Sequence, residues 1–318
     1  MMLPIEDGSP ELTLLKEARI ENPHAFLGLH QKDGKQVIRI WRPGHDSAKV
    51  EVLGKVFEME KVSPLGLFEH VLDQKISLQG YRIFYPPGLL APDPYSEAPK
   101  LTPDDLDLFK KGIHYDLYSV LGATIHEGGV QFAVWAPRAR SVYLKGNFNG
   151  WESQMNPMRK VGEIWELFVP GLEEGEVYLF EVHTKEGFLR EKSDPMAFFS
   201  KLRPNTKSVI FDLDQYEWQD KNWKRKGVNQ PVNIYEVHLG SWRKYETEFP
   251  NYREIAHDLA DYCIKMGFSH LELLPIMEHP LDESWGYQVS GFFSTTSRYE
   301  HLETFSISST TCTRKALE

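Results

Sequence analysis

Two stretches of this 318-residue chain repeat each other roughly a hundred residues apart, and such a repeat restricts the fold more than any other feature. Ile38-Arg39-Ile40-Trp41-Arg42-Pro43 matches Phe132-Ala133-Val134-Trp135-Ala136-Pro137, each alternating and closing on Trp-x-Pro. Lys49-Val50-Glu51-Val52-Leu53-Gly54 matches Ser141-Val142-Tyr143-Leu144-Lys145-Gly146. Gly66-Leu67-Phe68-Glu69 matches Glu163-Ile164-Trp165-Glu166, and Tyr81-Arg82-Ile83-Phe84 matches Tyr178-Leu179-Phe180-Glu181. Asp93-Pro94-Tyr95 matches Asp194-Pro195-Met196, and the offset stays between 92 and 101 residues throughout. Period-two alternation broken by Gly, Pro and Asn predicts short antiparallel strands. Two copies of this size predict two tandem immunoglobulin-like β-sandwiches in a mainly β chain. The expected layout is an N-terminal arm at 1–20, a first sandwich at 21–110 and a second at 111–216.

A linker follows at 217–231, and from there the period changes. Val232–Leu239 reads as a strand. Asn251 and Glu254 have the spacing of a capping box, and Ile255, Leu259, Tyr262, Cys263 and Met266 share one helical face. Gly267 stops that helix, and Phe268–Leu274 is a second, apolar strand closed by Pro275. Strand, helix, strand predicts a βαβ unit opening a parallel sheet. Cys263 belongs to its core.

Composition removes several function classes. Lys+Arg 36 against Asp+Glu 46 gives −10, which argues against nucleic acid or anionic membrane as a partner. The basic stretch Lys221–Lys226 reads as a solvated linker face. No apolar run approaches the roughly 20 residues of a bilayer span, and the acidic start Met1–Asp7 is not a signal peptide. Two cysteines, Cys263 and Cys312, make neither a disulfide framework nor a zinc site, so a cytoplasmic location is expected. His238 and His279 have no ligand partner at helical spacing, so no metal is expected. No phosphate-cradling loop or dinucleotide fingerprint is present, so no cofactor is expected either.

The aromatic share, 13 %, is high and is a first hint of function. Trp41 and Trp135 lie in strand pattern and read first as core. Asn147-Phe148-Asn149-Gly150-Trp151 is a polar, aromatic turn, with Trp151 expected at the surface. A flat ring beside amides can stack on a glucose face and bond its hydroxyls. Trp135, Asn147 and Trp151 are therefore the candidates for a glucan surface site, against a purely structural reading. In parallel α/β sheets the functional face lies at the carboxyl ends of the strands. Glu278-His279-Pro280 and Ser284-Trp285-Gly286-Tyr287-Gln288 fall there, either as a ligand loop or as a satisfied loop around a buried Trp. Glu278, Asp282 and Glu283 read as solvated loop carboxylates rather than catalysts.

These residues resemble the bacterial glycogen (1,4-α-glucan) branching enzymes of the α-amylase clan. Ile234–Arg243 is similar to their first barrel strand and its loop, and Leu273–Pro280 to their second-strand motif. Ser284–Gln288 is similar to the loop whose tyrosine floors the central sugar subsite, which implies substrate contacts for Trp285, Tyr287 and Gln288. Gly146–Trp151 resembles the signature turn of a glycogen-binding β-sandwich. The resemblance spans roughly 20–305 and implies that 232–305 is the first βαβ portion of a (β/α)8 barrel, left incomplete. It further implies a retaining transfer of an α-1,4-glucan segment to a 6-hydroxyl, by a monomer acting on α-glucan without metal or cofactor. The nucleophile Asp, the acid/base Glu and the stabilising Asp of that reaction would lie on later strands, so this chain carries no catalytic residue and is expected to be inactive alone. The alternatives are a non-catalytic glucan-binding or scaffold protein, and a debranching hydrolase of the same clan.

The resemblance ends at Phe305, and 306–318 shows no amphipathic period. Reading those codons one base earlier permits Gln-Tyr-Phe-Ile-Asp-His-Leu-His-Lys-Lys-Gly-Ile-Gly, an amphipathic helix with a glycine stop. A frameshift after Phe305 is therefore expected. DNA reads from independent clones should show it; one intact frame ending in a stop at codon 319 in all of them contradicts it.

Overall fold

The computed structural model describes residues 9–152, 154–224, 227, 229–245, 250–315 and 317. Residues 1–8, Arg225, Lys226 and Glu318, on which some of the expectations above fall, lie outside the described residues. The chain forms two compact units, one up to Asp194 and one from Pro195.

In the first unit a short helix α1 (Pro10–Lys16), capped by Ser9, precedes the first sandwich. One sheet has the order β1-β2-β6-β5, from Gly28–Lys32, Lys35–Trp41, Leu67–Val71 and Glu60–Ser63. The other has the order β4-β3-β7-β8, from Lys55–Glu58, Lys49–Val52, Tyr81–Tyr85 and Leu89–Pro92. Ile38, Ile40, Val50, Val52, Phe68 and Ile83 close the core between them. Helix α2 (Pro103–Lys111) has a Thr102–Asp105 capping box and leads into the second sandwich.

Among the described residues that sandwich repeats the first in all strands but one. β9 (Gly122–His126), β10 (Gly129–Trp135), β13 (Ile164–Pro170) and β12 (Arg159–Val161) lie in the order of β1-β2-β6-β5. β11 (Ala139–Gly146) pairs β14 (Val177–Thr184), which pairs β15 (Leu189–Lys192), as β3, β7 and β8 do. The missing counterpart is β4: in its place the chain makes the turn at Asn147–Asn149.

The repeat extends to buried polar chemistry. Tyr81 donates its hydroxyl to Asp93 at 2.7 Å, and Tyr178 donates to Asp194 at 2.6 Å, all four groups being buried. Glu69 and Glu166, also equivalent, are buried on β6 and β13. Glu69 takes Arg39 from β2 at 2.7 Å and Lys32 at 2.8 Å. Glu166 faces Ala133 at the Arg39 position and takes Arg159 from the other neighbouring strand instead. A buried carboxylate without its cation is costly, so the pair survives although the cation has changed strand.

The second unit holds an antiparallel pair β16 (Phe199–Ser200) and β17 (Ser208–Val209), then β18 (Ile234–Val237). A single helical turn α3 (Leu239–Trp242) and helix α4 (Tyr252–Met266) precede β19 (His270–Leu273). β18 and β19 pair in parallel with Val237 opposite Leu273, as a βαβ unit requires. The capping box is present: Asn251 Oδ1 accepts from the Glu254 amide at 2.9 Å, and Glu254 accepts from the Asn251 amide at 3.1 Å. Gly267 ends α4 in the left-handed region at φ 83°. The buried face is rotated from the expected one: Tyr252, Ala256 and Ala260 join Ile255, Leu259 and Cys263, while Met266 is exposed.

β20 (Met277–Glu278) and β21 (Gly291–Thr295) form an antiparallel pair, and α5 (Leu302–Arg314) packs on α4. The tail thus differs from the sequence expectation of no helical period. Its Ser and Thr side chains make the helix tolerable: Ser306, Thr311 and Thr313 donate to the carbonyls of Leu302, Ile307 and Ser309, four residues back. Phe305 and Cys312 join the α4 core.

Burial pushes the Asp93 carboxyl up to about 6, against the hydrogen bonds from Tyr81 and the Tyr95 amide and the Arg42 charge, which favour ionisation. A raised carboxyl binds its proton more tightly in the folded state, so its contribution to stability falls as pH rises from about 4 through 6. We expect the stability of the protein relative to Asp93→Asn to fall by about 2 kcal/mol between pH 4 and 6.5 in denaturant titrations. A difference that does not change with pH contradicts this.

Candidate functional site

At the carboxyl ends of β18 and β19 an aromatic loop is held in one shape by charge. Arg298, almost wholly buried, donates to Asp282 from Nε at 2.8 Å and to the His279 carbonyl at 2.7 Å. It also reaches Glu278 at 3.3 Å, whose other oxygen accepts from the Ser297 amide and hydroxyl at 2.7 Å. Arg203 binds Asp282 as well, by Nε at 2.9 Å. Glu278 is therefore buried, not the solvated carboxylate that the sequence suggested, and Asp282, though partly exposed, is paired with two arginines. Some desolvation raises Asp282, but the hydrogen bonds and charges of Arg298 and Arg203 outweigh it and hold the carboxyl below its usual range.

From this anchor a turn at Asp282–Ser284 delivers Trp285 in the left-handed region, φ 52°. Gly286 follows at φ 84°, where an added Cβ would stand 2.3 Å from the Pro275 carbonyl oxygen. Only glycine lets the loop press onto the end of β19 in this way. Trp285 is 57 % exposed and stacks on His238, the first residue after β18, at 5.7 Å between centroids and 23° between planes. Tyr287 is 67 % exposed and Gln288 is also exposed. The alternative of a buried Trp is thus excluded. The three sequence candidates share one short loop at the strand ends. His238 is the partner that sequence reasoning weighed only as a metal ligand, because the strand was read through Leu239 whereas it ends at Val237. Burial, with the charge of His279, lowers its pKa, which favours a neutral, stackable ring. Among the described residues no group of three His, Cys, Asp or Glu side chains could hold a metal ion.

The second candidate region is the Asn147–Trp151 turn. Asn149 is buried: its amide donates to the Leu144 carbonyl at 2.9 Å and to Asn156 at 3.0 Å, and its oxygen accepts from the Gly146 amide at 2.9 Å. Asn156 in turn donates to Tyr85 of the first sandwich at 2.9 Å. Gly150 lies against the Pro86 carbonyl, and Met155 enters the core of the first sandwich. Trp151 is half-buried rather than surface-exposed, its indole N–H donating to Asn147 at 3.1 Å. Trp135 departs from the core reading, being 54 % exposed with its N–H on Glu163 at 3.1 Å. Alternation explains it: Phe132 and Val134 face inward, so Trp135 faces outward, as does Trp41, which is covered and buried. The eight residues of β11 separate Ala139 from Asn147 by about 26 Å. Trp135 lies four residues before Ala139, so the geometry does not gather Trp135, Asn147 and Trp151 into one site.

Comparison with known proteins finds relatives over most of the chain. The family model described as alpha-1,4-glucan branching enzyme, N-terminal domain, matches residues 9–95, and carbohydrate-binding module 48 (isoamylase N-terminal domain) matches 120–197. A 1,4-alpha-glucan branching enzyme of Protochlamydia amoebophila is 51 % identical over 89 % of this chain and 41 % of its own length. Those of Chlamydia abortus and Methylococcus capsulatus are 41 % and 40 % identical, over 93 % and 92 % of the chain and 42 % and 41 % of their own lengths. The chain carries the N-terminal region of the glycogen branching enzyme family. It spans about two fifths of the length of these relatives. A solved chain from Salmonella typhimurium, nominally an alpha amylase, shares the fold over 62 % of this chain and 32 % of its own, at TM-score 0.52 and 23 % identity. The match to the branching-enzyme N-terminal domain covers the first sandwich, and the match to the carbohydrate-binding module covers the second.

Losing the Asn149 side chain strands buried polar groups of Gly146, Leu144 and Asn156. Asn149→Ala should cost about 3 kcal/mol and lower the midpoint of thermal unfolding, whereas Trp151→Ala should cost under about 1 kcal/mol. Equal effects from the two would contradict the assignment of Asn149 as the structural anchor.

Proposed function

We propose that this chain binds α-1,4-glucan and supplies the donor-chain platform of a branching enzyme. That enzyme would break an α-1,4 bond and pass the segment to a 6-hydroxyl, making an α-1,6 branch, in the cytoplasm and as a monomer. The observation that carries the reading is the Trp285–Tyr287 loop, stacked on His238 at the strand ends and fixed by Gly286. An exposed aromatic face suits the apolar C–H face of a glucose ring, and the Gln288 amide can both donate to and accept from its hydroxyls. No helix among the described residues is long and apolar enough to cross a membrane.

Retaining transfer needs two carboxyl groups about 5 Å apart, one to attack the anomeric carbon and one to protonate the leaving oxygen. Glu278 and Asp282, the carboxylates that flank the platform, are both occupied by arginine. They position the loop and leave neither a free nucleophile nor an acid. The isolated chain therefore binds glucan and transfers nothing, the carboxylates of the reaction belonging to later barrel strands.

The purified chain should co-sediment with glycogen, and the double variant Trp285→Ala, Tyr287→Ala should weaken that retention about tenfold, as expected for two lost stacking contacts. Amylose incubated with the chain should gain no α-1,6 linkages by proton NMR. New branches, or glycogen retention that the double variant leaves intact, would overturn the proposal.

A further inference from the structure

A cleft of about 570 Å³ opens in the first unit, between the segment Glu11–Phe26 and the second sandwich. Arg19, Arg140, Lys160 and Lys185 line it against only two carboxylates, Glu11 and Glu21, in a chain whose net charge is −10. Lys160 is held by Glu21 at 2.9 Å and Arg19 by Glu17 at 3.1 Å. No ion pair between described residues engages Arg140 or Lys185. The Nε of Arg140 is buried and has no hydrogen-bond acceptor among the described residues. A guanidinium stays charged at any physiological pH and prefers a planar, two-oxygen anion. Leaving that donor unmet in the interior costs about 1–3 kcal/mol, and the rest of the guanidinium, where Arg140 lines the cleft, is what an anion can reach. Phe26, Leu14 and Ile20 give the cleft an apolar wall, and Asn22 adds an amide.

We propose that this cleft is a binding site for a small phosphate ester with a hydroxylated, partly apolar body, such as a monosaccharide phosphate. Arg140 and Lys185 take the phosphate, and the Phe26 side of the cleft takes the ring. The site lies wholly in the first unit and does not depend on the aromatic loop.

Titration calorimetry of the full chain with glucose 6-phosphate, inorganic phosphate, sulfate and glucose tests it. Glucose 6-phosphate should bind at least about tenfold more tightly than sulfate or glucose, with inorganic phosphate between. Arg140→Gln with Lys185→Gln should weaken glucose 6-phosphate about tenfold or more while leaving the unfolding midpoint without ligand unchanged. Arg140→Lys, which keeps the charge and loses the planar guanidinium, should fall between. Equal binding of glucose 6-phosphate by the wild type and the double variant would overturn the site. Equal affinity for sulfate and glucose 6-phosphate would overturn the phosphate ester as its ligand.

Discussion

Met155 leaves the second sandwich and completes the core of the first, and the loop that carries it depends on two buried asparagines. Asn149 ties the loop to β11, and Asn156 ties it to Tyr85. Burying a methionine contributes about 2 kcal/mol. The hydrogen bonds contribute direction more than energy, because each would cost most if left unmade. The turn that resembles a sugar-binding signature thus also joins two modules into one unit. The second sandwich lacks a counterpart of β4 at this point, so the repeat breaks where the joint is made.

In the second unit the aromatic loop is fixed by arginine, beside the hydrophobic core on α4. Arg298 collects Glu278, the His279 carbonyl and Asp282, and so fixes the two ends of the loop that presents Trp285 and Tyr287. Exposed aromatics keep their place only when the backbone beneath them cannot move. Here the left-handed Trp285 and the close approach of Gly286 to Pro275 supply that restraint.

Much of this was legible in the sequence. The repeat showed two matching sets of short antiparallel strands, because alternation and turn residues are local signals. The α4 cap and stop were equally plain at Asn251, Glu254 and Gly267. The aromatic loop stood out in the sequence by its position after an apolar strand. What escaped was long-range: Arg298 and Arg203 lie 16 and 79 residues from Asp282. No local pattern marks such pairing. Trp135 was misjudged as core because alternation within a strand does not reveal which outer faces are covered. The helical tail was missed because Ser and Thr conceal helix when their hydroxyls bond the backbone within it.

The central claim is that these modules and this loop form the working front part of a branching enzyme. Joining residues 9–300 to the remainder of the Protochlamydia amoebophila relative, and assaying amylose for new α-1,6 linkages, tests it most directly. The account predicts a chimera that branches amylose at a rate near that of the parent relative. A folded chimera that retains glycogen yet forms no branches would contradict it.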